Sequence, residues 1–497
     1  MGLTVKKSGS PALGIDIGTS LIKLVEARPG KDGIQITALG IAPTPPGCID
    51  NEIIIDPKTL GQAIRSLITE SGISCKKSVS SVSGQSSVIV RIIEVPKMTK
   101  QELAETMKWE IERHVPFAAN EVVMDFQPVE RPDGDPADQN MDVLLAVAQE
   151  AVINSHVETL QAAGIEPTAI DVEPLAAARA LIDAVGDGAQ EGTVVIIDIG
   201  ASSSELAVYR NGIIAFPRTL PMAGNTITQA LSNHLSISIE QAERLKREHA
   251  VVLLDRLDLI NAAPDMDDMQ SGGFGQDDST MGFSAPQTDQ PAEQEYPFMP
   301  GLGYGPGLNP TPEEEKPAPV VDTMPDFDID IGGASAAAPK PVMDFDLPES
   351  GDLAIGSTPK LDLSEPGDMM SAGSQGIVDV TGAEGGMMAA VEYSDEAVFQ
   401  AIAPVLGDLL AEIRRSLDYY ISRFQSQPDR ILICGGTARI KDLDQLIQME
   451  LGIPCSIANP MQNFSVLSKS LSQDYLEDVA SIFPVSIGLA IRDMMGE

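Results

Sequence analysis

The sequence predicts an α/β fold built around two copies of one strand–turn–strand hairpin. In the first copy, the apolar strand Leu13–Ile17 leads into a Gly-Thr-Ser turn and a returning strand, Leu21–Val25. In the second copy, Val194–Ile199 leads through a Gly-Ala-Ser-Ser turn into Glu205–Val208. A further strand near the C-terminus ends in two glycines. Helical patterns separate these strands along the chain, which is typical of an α/β protein.

The first hairpin has the chemistry of a phosphate site. Its turn presents backbone N–H groups and hydroxyls to one point, and Gly18 lets the backbone approach a ligand closely. Asp16 is negatively charged, so we expect it to hold Mg²⁺ or its waters rather than phosphate. Lys23 supplies a compensating positive charge. Asp198 has the same place in the second hairpin, so the sequence predicts a water-mediated Mg²⁺ site at both aspartates.

Composition excludes several classes of function. The length of 497 residues suggests about three domains. A net charge of −40 disfavours direct binding to nucleic acid. The four cysteines share no metal-binding or redox spacing, and Cys434 is interpreted as a core residue. We find no signal-peptide pattern and no apolar run long enough to span a membrane, so we expect a cytoplasmic protein.

The C-terminal strand and its glycines complete a known pattern. The segment Ile431–Ile440 resembles an adenosine-binding loop, and with the two hairpins it resembles the actin-like ATPase superfamily. That resemblance implies a fold of two lobes that hold ATP or ADP with Mg²⁺ between them. It implies that the nucleotide is bound by Asp16, Gly18, Thr19, Ser20, Lys23, Asp198, Gly200, Ala201, Ser202, Ser203, Gly224, Glu243, Lys246, Gly435, Gly436, Thr437 and Ala438.

Three of the acidic and basic candidates each have two interpretations. Glu173 begins a Glu-Pro-x-Ala-Ala-Ala segment that resembles one in the chaperone ATPases, where the glutamate orients the attacking water. Alternatively, Glu173 is a helix N-terminal carboxylate stabilised by the helix dipole. In relatives, the positions of Glu243 and Lys246 reach the ribose and adenine, although a plain surface ion pair at that helical spacing would look identical. We expect slow ATP hydrolysis at most.

The chain order suggests where the domains lie. We assign 12–95 with 165–192 to the first lobe and 193–260 with 392–497 to the second lobe. Between the two parts of the first lobe, residues 96–164 are predicted as an inserted strand–helix–strand–strand subdomain. This subdomain replaces the second subdomain of actin in FtsA and in the PilM family. The runs Lys108–Phe117 and Glu121–Phe126 resemble the PilM family rather than FtsA.

The chain's only tryptophan lies off the apolar face of its helix. Leu103, Met107 and neighbours at helical spacing form one face, and Trp109 falls on the opposite side. Either Trp109 packs against another subdomain, or it lies at a partner surface, where tryptophan is enriched. We name Trp109 and Phe117 as partner-binding candidates, in a groove between the first lobe and the helix.

Residues 261–391 have a different composition. Positions 261–390 contain 24 acidic and 3 basic residues. They are also rich in Pro, Gly and Met, a composition that cannot bury enough apolar surface to offset chain entropy. We predict a disordered acidic loop. Within it, Met324–Asp330 and Met343–Leu347 are near repeats that alternate acidic and apolar residues. They either dock in a partner's basic, apolar groove or merely solubilise the chain.

The resemblance to the PilM family implies a function. Such proteins are cytoplasmic, ATP-binding members of the type IV pilus assembly platform and support twitching motility. They bind the cytoplasmic tail of the membrane protein PilN, so we expect a location at the inner face of the inner membrane through partners, with the pilus motor ATPases as further candidates. The alternatives are an FtsA-like division filament, whose terminal membrane helix we do not expect here, and a small-molecule kinase.

Overall fold

The structure is a computed structural model that describes residues 11–31, 33–84, 87–129, 139–185, 190–261, 393–467 and 472–495. The predicted acidic loop, with both near repeats, therefore lies outside the described residues, apart from its first residue.

Strands dominate the first part of the chain. In order it forms β1 (Ala12–Ile17), β2 (Leu21–Gly30), β3 (Gly33–Pro43), β4 (Ile49–Asp50), β5 (Ile53–Ile54), α1 (Pro57–Glu70), β6 (Lys77–Val82), β7 (Val88–Pro96), α2 (Lys100–His114), β8 (Val122–Val129), β9 (Asn140–Gln149), α3 (Glu150–Ala162) and β10 (Glu166–Val172).

The second part contains more helices, of which the one at Asp395–Phe424 is the longest. It forms α4 (Glu173–Leu181), β11 (Thr193–Ile199), β12 (Ser204–Arg210), β13 (Ile213–Leu220), α5 (Gly224–Leu235), α6 (Ile239–His249), α7 (Asp258–Asn261), α8 (Asp395–Phe424), β14 (Arg430–Cys434), α9 (Leu443–Leu451), β15 (Cys455–Ile457), β16 (Ser465–Val466), α10 (Gln473–Val479) and α11 (Pro484–Ile491).

Each predicted hairpin lies in a sheet of its own. Within the described residues, the first sheet has the order β10-β6-β1-β2-β3-β16 and the second has the order β13-β12-β11-β14-β15. In both, the hairpin strands pair antiparallel, while a later strand pairs parallel with the first strand of the hairpin. This repeated plan confirms the predicted α/β fold with two lobes.

The central strand of the second lobe shows why its sequence is apolar throughout. Val195, Ile197 and Ile199 point into a core shared with α8. Val194 and Ile196 point to the opposite face, into a core shared with α4 and α11. A strand covered on both faces needs apolar residues at every position. Cys434 is fully buried on the neighbouring strand, which confirms its interpretation as a core residue.

The inserted subdomain is a small sheet covered by one helix. Its strands have the order β7-β9-β8, all antiparallel. Strand pairing therefore groups β7 with the insert, although the boundaries above include it in the first lobe. Leu103, Met107 and Val115 bury the predicted apolar face of α2 against one side of this sheet. The other side packs against the core between the lobes, through Leu144 and Ala146 among others.

The last helix, α11, crosses α4 at very close range. A side chain at Gly488 would overlap the carbonyl oxygen of Ala176, so this close crossing requires glycine. Arg179 on α4 donates a hydrogen bond to the Gly488 carbonyl at 3.1 Å and lies 3.0 Å from the buried carboxylate of Asp171. The C-terminal segment is thereby fixed to the helix that follows the first sheet.

We predict that Gly488→Ala destabilises the protein by about 3 kcal/mol or more, because the added methyl group collides with a backbone atom that cannot move freely. Chemical denaturation would measure the loss. Gly436→Ala is the matched control, since an added Cβ there meets nothing within 4 Å and its φ of −65° is ordinary helical backbone. Equal midpoints for the two variants would contradict the predicted close crossing.

Candidate nucleotide-binding site

The turns of the two hairpins meet across the cleft between the lobes. The hydroxyl oxygens of Thr19 and Ser202 lie 3.2 Å apart. Ser202 also donates a hydrogen bond to the Glu52 carboxylate at 3.1 Å. The turns enclose a cavity of about 210 Å³, which both lobes line. Because each turn follows directly on the first strand of its hairpin, the sheets bring two sets of hydroxyls and backbone amides to one place.

Nearly every residue predicted to bind nucleotide lines this cavity. They are Asp16, Gly18, Thr19, Ser20, Lys23, Asp198, Gly200, Ala201, Ser202, Ser203, Gly224, Glu243, Lys246, Gly435, Gly436 and Thr437, together with Glu173. Ala438 is different: its side chain is fully buried in the second-lobe core, so it supports the loop from behind and does not line the cavity.

One ammonium group faces several carboxylates at the bottom of the cavity. Lys23 Nζ lies 2.6 Å from Asp16 Oδ2, and both side chains are largely shielded from solvent. Burial alone would lower the pKa of Lys23, but the charges of Asp16, Asp198 and Glu173 raise it overall. The lysine is therefore a fixed positive charge at the end of the first hairpin.

The carboxylates outnumber this ammonium. Burial, and then the charges of Asp16 and Asp198, raise the pKa of Glu173 well above its usual value. Burial raises the pKa of Asp198 to about 6, although Lys23 opposes the shift. An added cation would relieve this repulsion. The described residues contain no group of three or more His, Cys, Asp or Glu side chains placed to hold a metal ion. Carboxylates can also hold a cation through its waters, as is common for Mg²⁺.

Helix α6 closes the side of the cavity with an ion pair. Lys246 Nζ lies 2.7 Å from Glu243 Oε2 and also donates hydrogen bonds to the Gly224 carbonyl and the Thr228 hydroxyl. Glu243 and Lys246 therefore form an ion pair with each other and also line the cavity. These contacts fix α6 against the beginning of α5, which follows the second hairpin.

The C-terminal glycine loop is tied to the second hairpin. Thr437 donates a hydrogen bond to the Gly200 carbonyl at 2.8 Å, and the Gly224 amide donates to the same oxygen at 3.1 Å. Gly435 has a φ of +89°, and a side chain there would collide with Asp198 and Ile199. An added Cβ at Gly436 would meet nothing within 4 Å, so the cavity is open beside this residue.

Glu52 and His156 are among the cavity residues that the sequence analysis missed. Glu52 follows β4 with a φ of +66°, a left-handed conformation that no simple motif predicts. His156, on α3, donates through Nε2 to the Ser80 hydroxyl at 2.7 Å, since that hydroxyl donates in turn to the Ile15 carbonyl. Burial lowers the pKa of His156 to about 4, so the imidazole is neutral at physiological pH. Only the tertiary fold brings these residues to the first hairpin.

Glu205 lies behind the cavity, opposite Asp198 in the second hairpin. Its carboxyl group accepts a hydrogen bond from the Thr219 hydroxyl at 2.9 Å. Burial raises its pKa to about 8, although this hydrogen bond opposes the shift. The negative charge of Asp198 adds to the effect of burial. Glu205 therefore holds a proton in the folded protein at pH values where a free glutamate has lost it.

Comparisons with known proteins show which families and solved structures this chain resembles. A family model described as Type IV pilus assembly protein PilM matches residues 14–252, and a model for Cell division protein FtsA matches residues 195–474. The solved structure of a PilM–PilN type IV pilus biogenesis complex is 22% identical, with a TM-score of 0.62, and the match covers 97% of this chain and 98% of that one. The fold is therefore the actin-like fold, as predicted.

Curated relatives carry the FtsA name. FtsA of Bacillus subtilis (strain 168) is 26% identical over 254 residues, which are 47% of this chain and 57% of that protein. FtsA of Streptococcus pneumoniae (serotype 2, strain D39) is 24% identical over 253 residues, 47% of this chain and 54% of the relative. The matched part thus spans little more than half the length of these relatives.

Within the described residues, no helix is both long and apolar enough to cross a membrane.

We predict that ionisation of Glu205 makes the nucleotide-free protein less stable as pH rises. The pKa of Glu205 is raised on folding, so its contribution to stability is complete below about pH 4.5 and is lost as pH rises through about 8. Glu205→Gln keeps an acceptor for Thr219 and cannot ionise. Denaturation midpoints from pH 5 to 9 should therefore fall less for Glu205→Gln than for the parent.

The control for removing one negative charge is the exposed Glu158→Gln, which should follow the parent curve. Parallel curves for the parent and Glu205→Gln would show that Glu205 does not hold its proton in the folded protein.

Proposed function

This chain belongs to the PilM family of FtsA-related, actin-like proteins, and from that premise we propose that it is a nucleotide-dependent component of the type IV pilus assembly platform. The observation that carries the proposal is the single cavity formed by two hairpin turns in contact at 3.2 Å, with a glycine loop tied to the second turn. Backbone amides, hydroxyls and one buried ammonium converge there, as the phosphates of ATP or ADP require.

Different residues of the cavity would bind different parts of the nucleotide. The turns at 18–20 and 200–203, with Lys23, would bind the phosphates. Asp16 and Asp198 would orient the waters of Mg²⁺, which neutralises phosphate charge when bound. Glu243 and Lys246 would contact the ribose and adenine, and Gly435 and Gly436 would lie along the base.

Glu173 is the candidate for positioning the attacking water, and its environment argues for slow hydrolysis at most. A carboxyl group must be ionised to accept a proton from water. Burial and the charges of Asp16 and Asp198 raise the pKa of Glu173 well above its usual value, which disfavours the ionised carboxylate. Turnover would then require the negative charge at the aspartates to be neutralised first. This favours a protein that responds to bound nucleotide over one that consumes it rapidly.

The partner we propose is the cytoplasmic tail of PilN, bound at the inserted subdomain. Trp109 is 70% exposed on α2, so of its two interpretations the exposed one fits the structure. Phe117 is half-buried against the core under α2, which makes it a support for the surface rather than an anchor. The sheet lies between α2 and the lobes, so a groove shared by α2 and the first lobe would have to run around an edge of that sheet.

The outer edge of β8 gives an extended tail a second place to bind. Among the described strands β8 pairs only with β9, so the backbone groups on its other side have no strand partner there. An added strand could bind them by backbone hydrogen bonds. Through this tail the protein would lie at the inner face of the inner membrane, with the pilus motor ATPases as further partners and twitching motility as the outcome.

An FtsA-like filament is the second candidate, because the FtsA model and the curated relatives favour it. Sedimentation with Mg·ATP distinguishes the two: polymers without affinity for a PilN tail would favour the division-type protein. A tail complex of fixed stoichiometry without polymers would favour the pilus protein.

We predict that Asp16→Ala weakens binding of Mg·ATP at least about tenfold, since a charge-assisted contact is lost. In EDTA the same variant should bind ATP no more weakly than the parent, because Lys23 is then free to contact phosphate. Gly436→Val should weaken binding under both conditions by placing a side chain where the base would lie. Calorimetry measures all three, with exposed Asp408→Ala as the control.

Unchanged affinity in both Asp16→Ala and Gly436→Val would overturn the nucleotide site. A loss of affinity by Asp16→Ala that is equal with and without Mg²⁺ would contradict the role of this carboxylate toward the cation.

We predict that Trp109→Ala weakens binding of a PilN tail peptide about thirtyfold, as truncation of a tryptophan anchor typically costs about 2 kcal/mol. Because the side chain is 70% exposed, the fold should survive the change. Tyr475→Ala, at another exposed aromatic residue, is the matched control. Full affinity in a folded Trp109→Ala protein would remove Trp109 from the site and leave the β8 edge as the candidate.

A further inference from the structure

A groove of about 370 Å³ lies between the inserted subdomain and the second lobe, away from both the nucleotide cavity and Trp109. Three elements form its walls. They contribute Arg91–Glu94 from β7, Ala215–Pro217 from β13, and Tyr419, Arg423 and Phe424 from the last turns of α8.

The floor of this groove is aromatic. The ring centroids of Phe216 and Tyr419 are 5.5 Å apart, and those of Tyr420 and Phe424 are 5.0 Å apart. Tyr420 is buried beneath them, whereas Tyr419 is 50% exposed. An exposed aromatic ring backed by buried rings is a rigid surface that can take up another apolar side chain at low entropic cost.

Two arginines flank the aromatic floor. Among the described residues, Arg91 has no ion pair or side-chain hydrogen bond, and Arg423 has no carboxylate partner. Arg423 lies over the Phe424 ring at 5.5 Å and donates to the Tyr419 hydroxyl at 3.3 Å. Glu94 also lines the groove, but its carboxylate accepts a hydrogen bond from Asn140 at 2.7 Å. In a chain with a net charge of −40, arginines without carboxylate partners beside an aromatic floor mark a site for an acidic ligand.

Both strands at the groove are edge strands within the described sheets. β7 pairs only with β9 and β13 pairs only with β12, so each presents unpaired backbone groups on its outer side. The two strands also lie close to each other. Edge strands with unpaired backbone groups can bind extended peptides. The groove therefore suits a short extended segment that carries one large apolar residue between acidic ones.

We propose that this groove binds the Asp-Phe-Asp motif that this chain itself carries twice, in Met324–Asp330 and in Met343–Leu347. The phenylalanine would pack on Tyr419 and Phe216, and the flanking aspartates would pair with Arg91 and Arg423. The composition of the motif matches the groove in charge and in apolar character.

The chain is long enough to make this contact. Tyr419 and Arg423 lie near the C-terminal end of α8, and a helix rising 1.5 Å per residue places Arg423 about 42 Å from Asp395. The residues between Phe345 and Tyr393 can span up to about 160 Å when extended. The nearer motif therefore reaches the groove from the beginning of α8 with length to spare.

Photo-crosslinking in the full-length protein tests the contact. With p-benzoylphenylalanine in place of Tyr419, illumination should crosslink this position to residues of 324–330 or 343–347, identified by mass spectrometry. The same probe in place of exposed Tyr475 is the control and should give no such crosslink. Mixing isotopically labelled and unlabelled protein shows whether the two ends of the crosslink belong to one chain.

Charge reversal tests the recognition. Arg91→Glu together with Arg423→Glu should lower the crosslink yield at least about tenfold, as should replacing Phe327 and Phe345 with serine. Combining the arginine reversals with Asp326→Arg, Asp328→Arg, Asp344→Arg and Asp346→Arg should restore it. Arg28→Glu, at an exposed arginine of the first lobe, is the matched control and should leave the yield unchanged.

Each other result would overturn the proposal. Crosslinks only to other segments, or a yield that the serine substitutions do not change, would exclude the motif as the occupant. Crosslinks only between different chains would assign the groove to a second copy. None of these outcomes bears on nucleotide binding or on the PilN tail, which depend on other residues.

Discussion

The two lobes meet at a cluster of charged side chains, largely shielded from solvent, to which both contribute. Asp16 and Lys23 come from the first hairpin, Asp198 from the second, and Glu173 from the beginning of α4. Removing carboxylates from water is costly unless they are paired, and here one ammonium serves several of them. The pKa values of Asp198 and Glu173 are raised as a consequence. A bound cation would relieve the repulsion between these carboxylates.

Close packing between the backbones of two helices, rather than contact through long side chains, holds the lobes around this cluster. α11 contacts α4 at Gly488, where any side chain would collide with Ala176. The buried ion pair of Asp171 and Arg179, with the hydrogen bond from Arg179 to Gly488, fixes the angle of that crossing. Because α4 also carries Glu173 at its first position, a movement of the crossing would displace a carboxylate at the cavity. Packing and charge are therefore coupled through one short helix.

The sequence predicted the parts of this site that local chemistry determines. A turn that must approach phosphate requires glycine and small hydroxyl residues, so both hairpins were recognisable from residue order. Glu52 and His156 were not, because each reaches the cavity from an element whose position only the tertiary fold determines. Ala438 shows the opposite error: it belongs to the recognisable loop, yet its side chain points into the core. For Trp109, helical periodicity gave the direction of the side chain but not whether another subdomain would cover it.

The inserted subdomain has two candidate ligand surfaces, and only one of them also involves the second lobe. This difference has consequences for regulation. Trp109 lies on α2, within the insert alone. The affinity of a ligand bound there therefore does not depend on how the lobes are arranged, unless the ligand extends over a sheet edge. The groove between β7 and β13 is shared by the insert and the second lobe. A ligand can shift a conformational equilibrium only through a difference in affinity between its states. If lobe closure moves α8 relative to β7, a ligand of the shared groove binds the open and closed states with different affinities. By linkage, nucleotide would then change the affinity for the groove ligand by the same factor by which the groove ligand changes the affinity for nucleotide.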